Sequence, residues 1–300
     1  MPGDDAPARP LRYVALGDSQ TEGIGDGDDT AGLRGWADRL AERLAPHHPG
    51  LLYANLAVRG RLAGQVRVGQ LAPALALRPD LATVVAGVND LLRPRFDADE
   101  VAGHLEEMFA ALTAQGARVA TLTFPDIARI IPLARPVASR VTALNDRVQR
   151  AAARHGVVVA ETARHPVVAD PRLWSPDRLH AGPLGHERIA AAMAEALGLP
   201  DGDDTWTRPL PGPPATGPAG WRRSAGEARW AASFLGPWLV RRLHGRSSGD
   251  GRTAKRPELL PFGAPPRTAP PRTAPPRTAP PRTAPHRAAP HPAAPPPDRP

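Results

Sequence analysis

Between Leu11 and Leu197 the chain alternates short apolar runs with longer segments of helical period, and this alternation restricts the fold more than any other feature. Leu11–Leu16, Leu51–Ala57, Leu81–Gly87, Arg118–Phe124 and Val157–Ala160 are β-branched or Leu-rich and read as strands. Gly35–Leu44, Leu62–Leu77, Asp97–Gln115, Ser139–Arg154 and Gly185–Leu197 place apolar residues three and four apart, as in Val101, Leu105, Met108 and Leu112, and read as helices. Strands joined through helices cross over right-handedly and lie parallel, so the expected fold is α/β: a three-layer α/β/α sandwich around a central parallel sheet. In such sheets ligands sit beyond the carboxyl ends of the strands. Residues that end a strand and begin a loop are therefore the places to look for chemistry.

The alternation stops after Leu199. The expected organisation is a globular domain over residues 1–199, a Pro/Gly/Asp-rich linker over 200–220, an amphipathic helix over 221–246 and a disordered Pro/Arg-rich tail over 247–300. In the helix, Trp221, Ala225, Ala228, Ala232, Leu235, Leu239 and Leu243 share one face, Trp230 falls opposite, and Pro237 kinks or breaks the run. Four Ala-Pro-Pro-Arg-Thr units run from Ala264 to Thr283, a composition that cannot bury a core. Charge divides the same way. Residues 1–200 carry 22 Arg, no Lys and 23 acidic residues, a net −1, whereas residues 201–300 carry 16 basic and 7 acidic residues, a net +9. That excess attracts polyanions, but the tail repeats hold no aromatic residue to stack bases and their arginines point in all directions, so no specific nucleic-acid partner is expected. A solubilising role or a proline-motif partner fits better.

With no cysteine, disulfides and thiolate sites are excluded, and the chain fits a reducing compartment. Met1–Pro10 has no basic and apolar leader pattern, and no apolar stretch approaches the roughly 20 residues that span a bilayer. The expected location is cytoplasmic. The 221–246 helix is read as docking on the globular domain, with contact to a membrane surface as the alternative.

The first strand ends in Gly17-Asp18-Ser19. Alone this reads equally as a helix cap or a turn. Thr21 stands where a Gly-x-Ser-x-Gly nucleophile elbow needs its second glycine, which disfavours that arrangement. A serine hydroxyl needs a positioned base to act as a nucleophile. Among the histidines, His47 and His48 follow a helix on the far side, His104 lies inside an amphipathic helix, and His286 and His291 belong to the tail. His180 ends Ser175-Pro-Asp-Arg-Leu-His180 just before the last helix, with Asp177 three residues earlier, a spacing that turns both side chains the same way. Its bland reading is a surface turn. Two further strand-end loops offer hydrogen-bond donors: Gly60, otherwise a conformational glycine, and Asn89 in Gly87-Val-Asn-Asp90, otherwise an Asx turn.

Taken together, these four blocks in this order resemble the SGNH/GDSL hydrolase family over residues 11 to about 199, including the ending His180-Ala-Gly-Pro-Leu-Gly-His-Glu-Arg-Ile-Ala190. The one departure is Gln20 where the family has leucine. The resemblance implies a flavodoxin-like hydrolase domain, with Ser19 as nucleophile, His180 as base and Asp177 as its orienting partner. It also implies an oxyanion hole of the Ser19 amide, the Gly60 amide and the Asn89 side chain. Asp90 is expected to hold the Asn89 loop, and His186 to pack under the last helix. No carboxylate and histidine cluster has metal-ligand spacing, so neither metal nor other cofactor is expected. The implied reaction is hydrolysis of a small-molecule, lipid or carbohydrate ester, or a thioester, through an acyl-enzyme. Two alternatives stay open: transfer of the same acyl group to another acceptor, and a binding protein for polyanions or membranes acting through its basic C-terminal region. The loops expected to choose the substrate are Gly23–Arg34 and Pro125–Pro136, the latter carrying Arg129 and Arg135.

Overall fold

A computed structural model describes residues 9–212, 229–236 and 247–263. Strand β1 (Arg12–Gly17) leads through the one-turn helix α1 (Ser19–Glu22) and a small hairpin of β2 (Gly27–Asp28) and β3 (Gly32–Leu33) into α2 (Trp36–Leu44). There follow β4 (Leu52–Asn55), α3 (Ala63–Leu77), β5 (Leu81–Val85), α4 (Val88–Leu91) and α5 (Ala98–Ala114). Next come β6 (Arg118–Leu122), α6 (Ile127–Ile130), α7 (Ala138–Arg154), β7 (Val158–Ala160), α8 (Pro183–Ala196) and β8 (Arg256–Pro261). The main sheet has the order β7-β6-β5-β1-β4-β8; its first five strands are parallel and β8 runs antiparallel along β4. Helices α2 and α8 pack together, and α3, α5 and α7 form a second row. The fold is thus α/β, a mostly parallel six-stranded sheet flanked by helices.

Burial explains the composition of these strands. A parallel sheet covered on both faces excludes water from every side chain, so its strands read as continuous apolar runs rather than alternating ones. In β1 every residue after Arg12 is buried, and in β5 all five are. Tyr13 and Tyr53, on neighbouring strands, stack with ring centroids 5.1 Å apart, and the buried Tyr13 hydroxyl finds Thr83 Oγ1 at 3.1 Å. Pairing buried polar tips in this way avoids the penalty of an orphaned hydroxyl. The chain passes from β1 to β4 on one side and then to β5 on the other, so the switch point of the sheet lies at the carboxyl end of β1. Ser19 follows directly there.

Two expectations for the C-terminal third need correction. Residues 247–263, expected to be disordered, form a turn and strand β8, in register with β4 through Leu52–Pro261, Tyr53–Leu260 and Asn55–Arg256. Polar groups and Tyr53 hold this strand: Arg256 Nε donates to the Tyr53 carbonyl at 2.8 Å with its guanidinium over the Tyr53 ring, and Lys255 Nζ reaches Asp38 at 2.6 Å. Pro257 and Pro261 are tolerated because β8 is an edge strand, where a missing N–H faces outward. The 221–246 helix lies outside the described residues except for 229–236, which are helical. There Trp230, expected opposite the apolar face, docks, its indole nitrogen donating to the Pro176 carbonyl at 3.2 Å, while Ala232 is exposed. The Ala-Pro-Pro-Arg-Thr repeats fall outside the described residues. Among the described residues no helix is long and apolar enough to cross a membrane.

Candidate active site

Close packing shapes the turn that carries Ser19. A side chain at Gly17 would collide with Thr21 and with the Val85 carbonyl, so only glycine lets β1 end against β5. Asp18 caps α1, its Oδ1 accepting from the Gln20 amide at 3.2 Å. The buried side chain of Gln70, from α3, donates to the Gly17 carbonyl at 2.8 Å and accepts from its amide at 2.9 Å. This fixes the peptide on which the turn begins.

From the other edge of the sheet, the loop before α8 brings His180 Nε2 to 2.8 Å from Ser19 Oγ. On the far side of the ring, Nδ1 lies 2.6 Å from Asp177 Oδ2. Asp177 Oδ1 accepts from the Ser175 hydroxyl at 2.6 Å and from the Leu179 and His180 amides at 2.9 and 3.0 Å. Burial raises the pKa of this carboxyl, but the hydrogen bond and charge of His180, with the Ser175 hydroxyl and the His180 amide, outweigh it and hold Asp177 below the usual carboxylate range. An ionised Asp177 can only accept, so Nδ1 carries a proton and Nε2 is the nitrogen that faces the serine hydroxyl.

Asn89, in α4 after β5, reaches the same turn: its Nδ2 donates to Asp18 Oδ2 at 3.2 Å and to the Arg61 carbonyl at 3.1 Å. The Gly60 turn therefore lies beside Asn89, and it meets the β1 end through the Val58 amide, which donates to the Gly17 carbonyl at 3.3 Å. Gly60 has φ +74°, a left-handed conformation that suits glycine. Asp90 accepts from the Ala63 amide at 3.0 Å and so ties α4 to the start of α3. Burial pushes the Asp18 carboxyl up to about 7 and that of Asp90 to about 6. Near neutrality Asp18 is therefore only partly ionised and opposes a negative charge beside Ser19 less than a fully ionised carboxylate would, whereas Asp90 stays mostly ionised.

His186 is fully buried away from this line, its Nδ1 accepting from the Trp36 amide at 3.1 Å and its Nε2 donating to the Ile24 carbonyl at 3.0 Å. Three further side chains support the site. Gln70 breaks the buried stripe Val66, Gln70, Ala74 and was legible as a polar residue at a core position; Glu22 and Arg59, joined at 2.7 Å, carried no signal because their pairing is long-range. Among the described residues, no three His, Cys, Asp or Glu side chains gather as metal ligands would.

An apolar cavity lies next to the pair, its lining including Gln20 and Leu179, the chain neighbours of Ser19 and His180, which are joined by a 2.9 Å hydrogen bond from Gln20 Nε2 to the Leu179 carbonyl. Its walls come from the segments beyond β5, β6 and β7 and from α8, and include Val88, Leu91, Phe124, Val168, Trp174 and Ile189. Of the two loops expected to choose the substrate, Pro125–Pro136 contributes Pro125 and Ile130, whereas Gly23–Arg34 forms the β2–β3 hairpin and adds nothing to the wall. Arg129 and Arg135 are exposed.

The sequence model of the GDSL-like Lipase/Acylhydrolase family matches residues 15–188, more than half of the chain. The chain belongs to this family. It is an ester-hydrolysing enzyme, and its fold is that of solved acylhydrolases. A lipase/acylhydrolase from Enterococcus faecalis is 22% identical with a TM-score of 0.51, over 62% of this chain and 95% of that one. An alpha/beta hydrolase enzyme from the metagenome of Lake Arreo, Spain, is 23% identical with a TM-score of 0.52, over 63% and 95%. A variant of an acetyl xylan esterase from Geobacillus stearothermophilus is 18% identical with a TM-score of 0.52, over 63% and 94%. No curated protein sequence matches the chain. The family match ends at 188, so β8 lies outside it.

Proposed function

We propose that this GDSL-family enzyme hydrolyses carboxylic esters of apolar acyl groups, with Ser19 as nucleophile, His180 as general base and Asp177 as the group that orients it. The observation that carries this reading is the continuous line from Asp177 Oδ2 through both nitrogens of His180 to Ser19 Oγ, with steps of 2.6 and 2.8 Å. Proton transfer from the hydroxyl to Nε2 makes the oxygen nucleophilic, and the ionised Asp177 stabilises the imidazolium that forms. Attack on the ester carbonyl gives a tetrahedral oxyanion, whose donors are the Ser19 amide, the Gly60 amide and the Asn89 side chain. The bonds from Asn89 to Asp18 and to the Arg61 carbonyl are at the long end of the N–H···O range, and an oxyanion beside Ser19 competes well for the same amide. Collapse expels the alcohol, which takes the proton from His180 and leaves an acyl-enzyme. Water activated by the same ring then releases the acid.

The apolar cavity supports the choice of acyl group, since burying each methylene there contributes about 0.8 kcal/mol. A panel of p-nitrophenyl esters of rising chain length tests it: kcat/KM should climb from acetate to medium-length chains and fall once the cavity is full. Fastest turnover of acetate with a steady decline thereafter would contradict the acyl assignment. Product analysis with added alcohols distinguishes release to water from transfer to another acceptor.

A further inference from the structure

The turn that carries Gly60 is gripped from two sides. On one side Glu22, one helical turn beyond Ser19, accepts from the Arg59 amide at 2.6 Å and from its guanidinium at 2.7 Å, and the guanidinium reaches on to Asp29 at 2.7 Å. On the other side stands chain from far downstream. The Ser247 hydroxyl donates to the Gly60 carbonyl at 3.2 Å and accepts from the Gly249 amide at 3.3 Å, while Asp250 Oδ2 accepts from the Ser247 amide at 2.7 Å and closes this small turn.

Contact here is steric as well as polar. A methyl group at Gly249 would collide with the Arg59 carbonyl oxygen, and a side chain at Gly60 would collide with the hydroxyls of Ser247 and Ser248. Arg252 then shares Asp29 with Arg59, at 2.7 Å, and the chain runs on into β8. In a trans peptide the carbonyl and the N–H point in opposite directions. The peptide joining Arg59 to Gly60 is trans and turns its carbonyl to Gly249, so its N–H points away from the downstream segment. Glycine lacks the Cβ that restricts other residues to fewer backbone conformations; the contacts of Ser247 and Gly249 hold the peptide in this one.

We infer that the segment Ser247–Phe262 belongs to the catalytic apparatus, with Ser247 and Gly249 as positioning residues that set the direction of the Gly60 amide. This rests on the reading of Gly60 as an oxyanion donor and extends it to a part of the chain beyond the family match. Strand β8 anchors the segment, and the turn at Ser247–Gly249 does the positioning.

The test uses the full-length protein with Ser247→Ala, Ser247→Thr, Gly249→Ala and Ser19→Ala, assayed on a p-nitrophenyl ester across pH with melting temperatures in parallel. One oxyanion donor is worth about 10²–10³ in kcat, so a partly misdirected amide should lower kcat about tenfold in Gly249→Ala and roughly threefold in Ser247→Ala. KM and the pH midpoint should stay unchanged, because neither residue touches His180 or the acyl cavity, and Ser247→Thr should restore kcat. Should Gly249→Ala fail to fold, Ser247→Ala, which deletes one hydroxyl, still decides. Parent-like kcat in Ser247→Ala overturns the inference whatever its melting temperature. Turnover by Ser19→Ala would instead defeat the nucleophile assignment, a separate result.

Discussion

Gln70, at the middle of α3, holds Gly17 by both backbone polar groups, accepting from the amide at 2.9 Å and donating to the carbonyl at 2.8 Å. It is buried, and so is the glycine, which places the carboxyl end of β1 two residues before Ser19. Replacing Gln70 with leucine leaves the Gly17 amide without this partner in a dry environment, a loss of about 1–3 kcal/mol. Urea unfolding of Gln70→Leu should show that loss, together with a fall in kcat as the serine turn loosens. Parent-like stability would mean that the clamp is dispensable.

Asp177→Asn keeps size and burial but removes the charge. An asparagine amide can donate to Nδ1, which favours the tautomer with its proton on Nε2 and points an N–H at the serine. We expect kcat to fall by about 10³–10⁴ with KM little changed. A fall of less than about tenfold would show that His180 holds its orientation without Asp177.

The buried ring of His186 makes a pH prediction. Burial lowers its pKa from 6.5 to about 4, and its two hydrogen bonds need the neutral ring. The folded pKa lies below the unfolded one, so between these values the unfolded chain binds more protons. Stability from this residue is therefore intact above about pH 6.5 and is lost as pH falls towards 4, by about 3 kcal/mol in all. His186→Gln, which can still accept and donate, should flatten that part of a stability–pH curve measured in urea. An unchanged slope would remove His186 as its cause.

Strand β8 changes what counts as the minimal enzyme. A chain cut after residue 200 loses Arg256 from over the Tyr53 ring and the edge contact of Phe262 with it, and leaves β4 as an open edge. Such a truncation should melt lower and associate at concentrations where the full chain stays monodisperse, as scanning calorimetry and light scattering would register. Equal melting temperatures would make β8 an ornament of the sheet.

The residues that could be read from sequence are those whose signal is local. Val101, Leu105, Met108 and Leu112 mark α5 because a helix repeats its buried face every three to four residues, and all four are buried. Ser19, Asn89 and His180 stood out because each follows a strand or precedes a helix within a short motif, and the fold brings all three strand-end loops to one rim. Strand β8 was hidden because Arg-Pro-Glu-Leu-Leu-Pro has no alternation and two prolines, and it is held by pairing with chain about 200 residues away rather than by its own propensity. Glu22 with Arg59 escaped for the same reason: nothing near either residue names the other.

The proposed roles of Ser19 as nucleophile and His180 as its base can be read by covalent labelling. Incubating the full-length protein with a fluorophosphonate and locating the adduct by peptide mass spectrometry tests them most directly. A single adduct on Ser19 is expected, formed at least about 10²-fold more slowly in His180→Ala. An adduct on another residue, or labelling at the parent rate without His180, would contradict them.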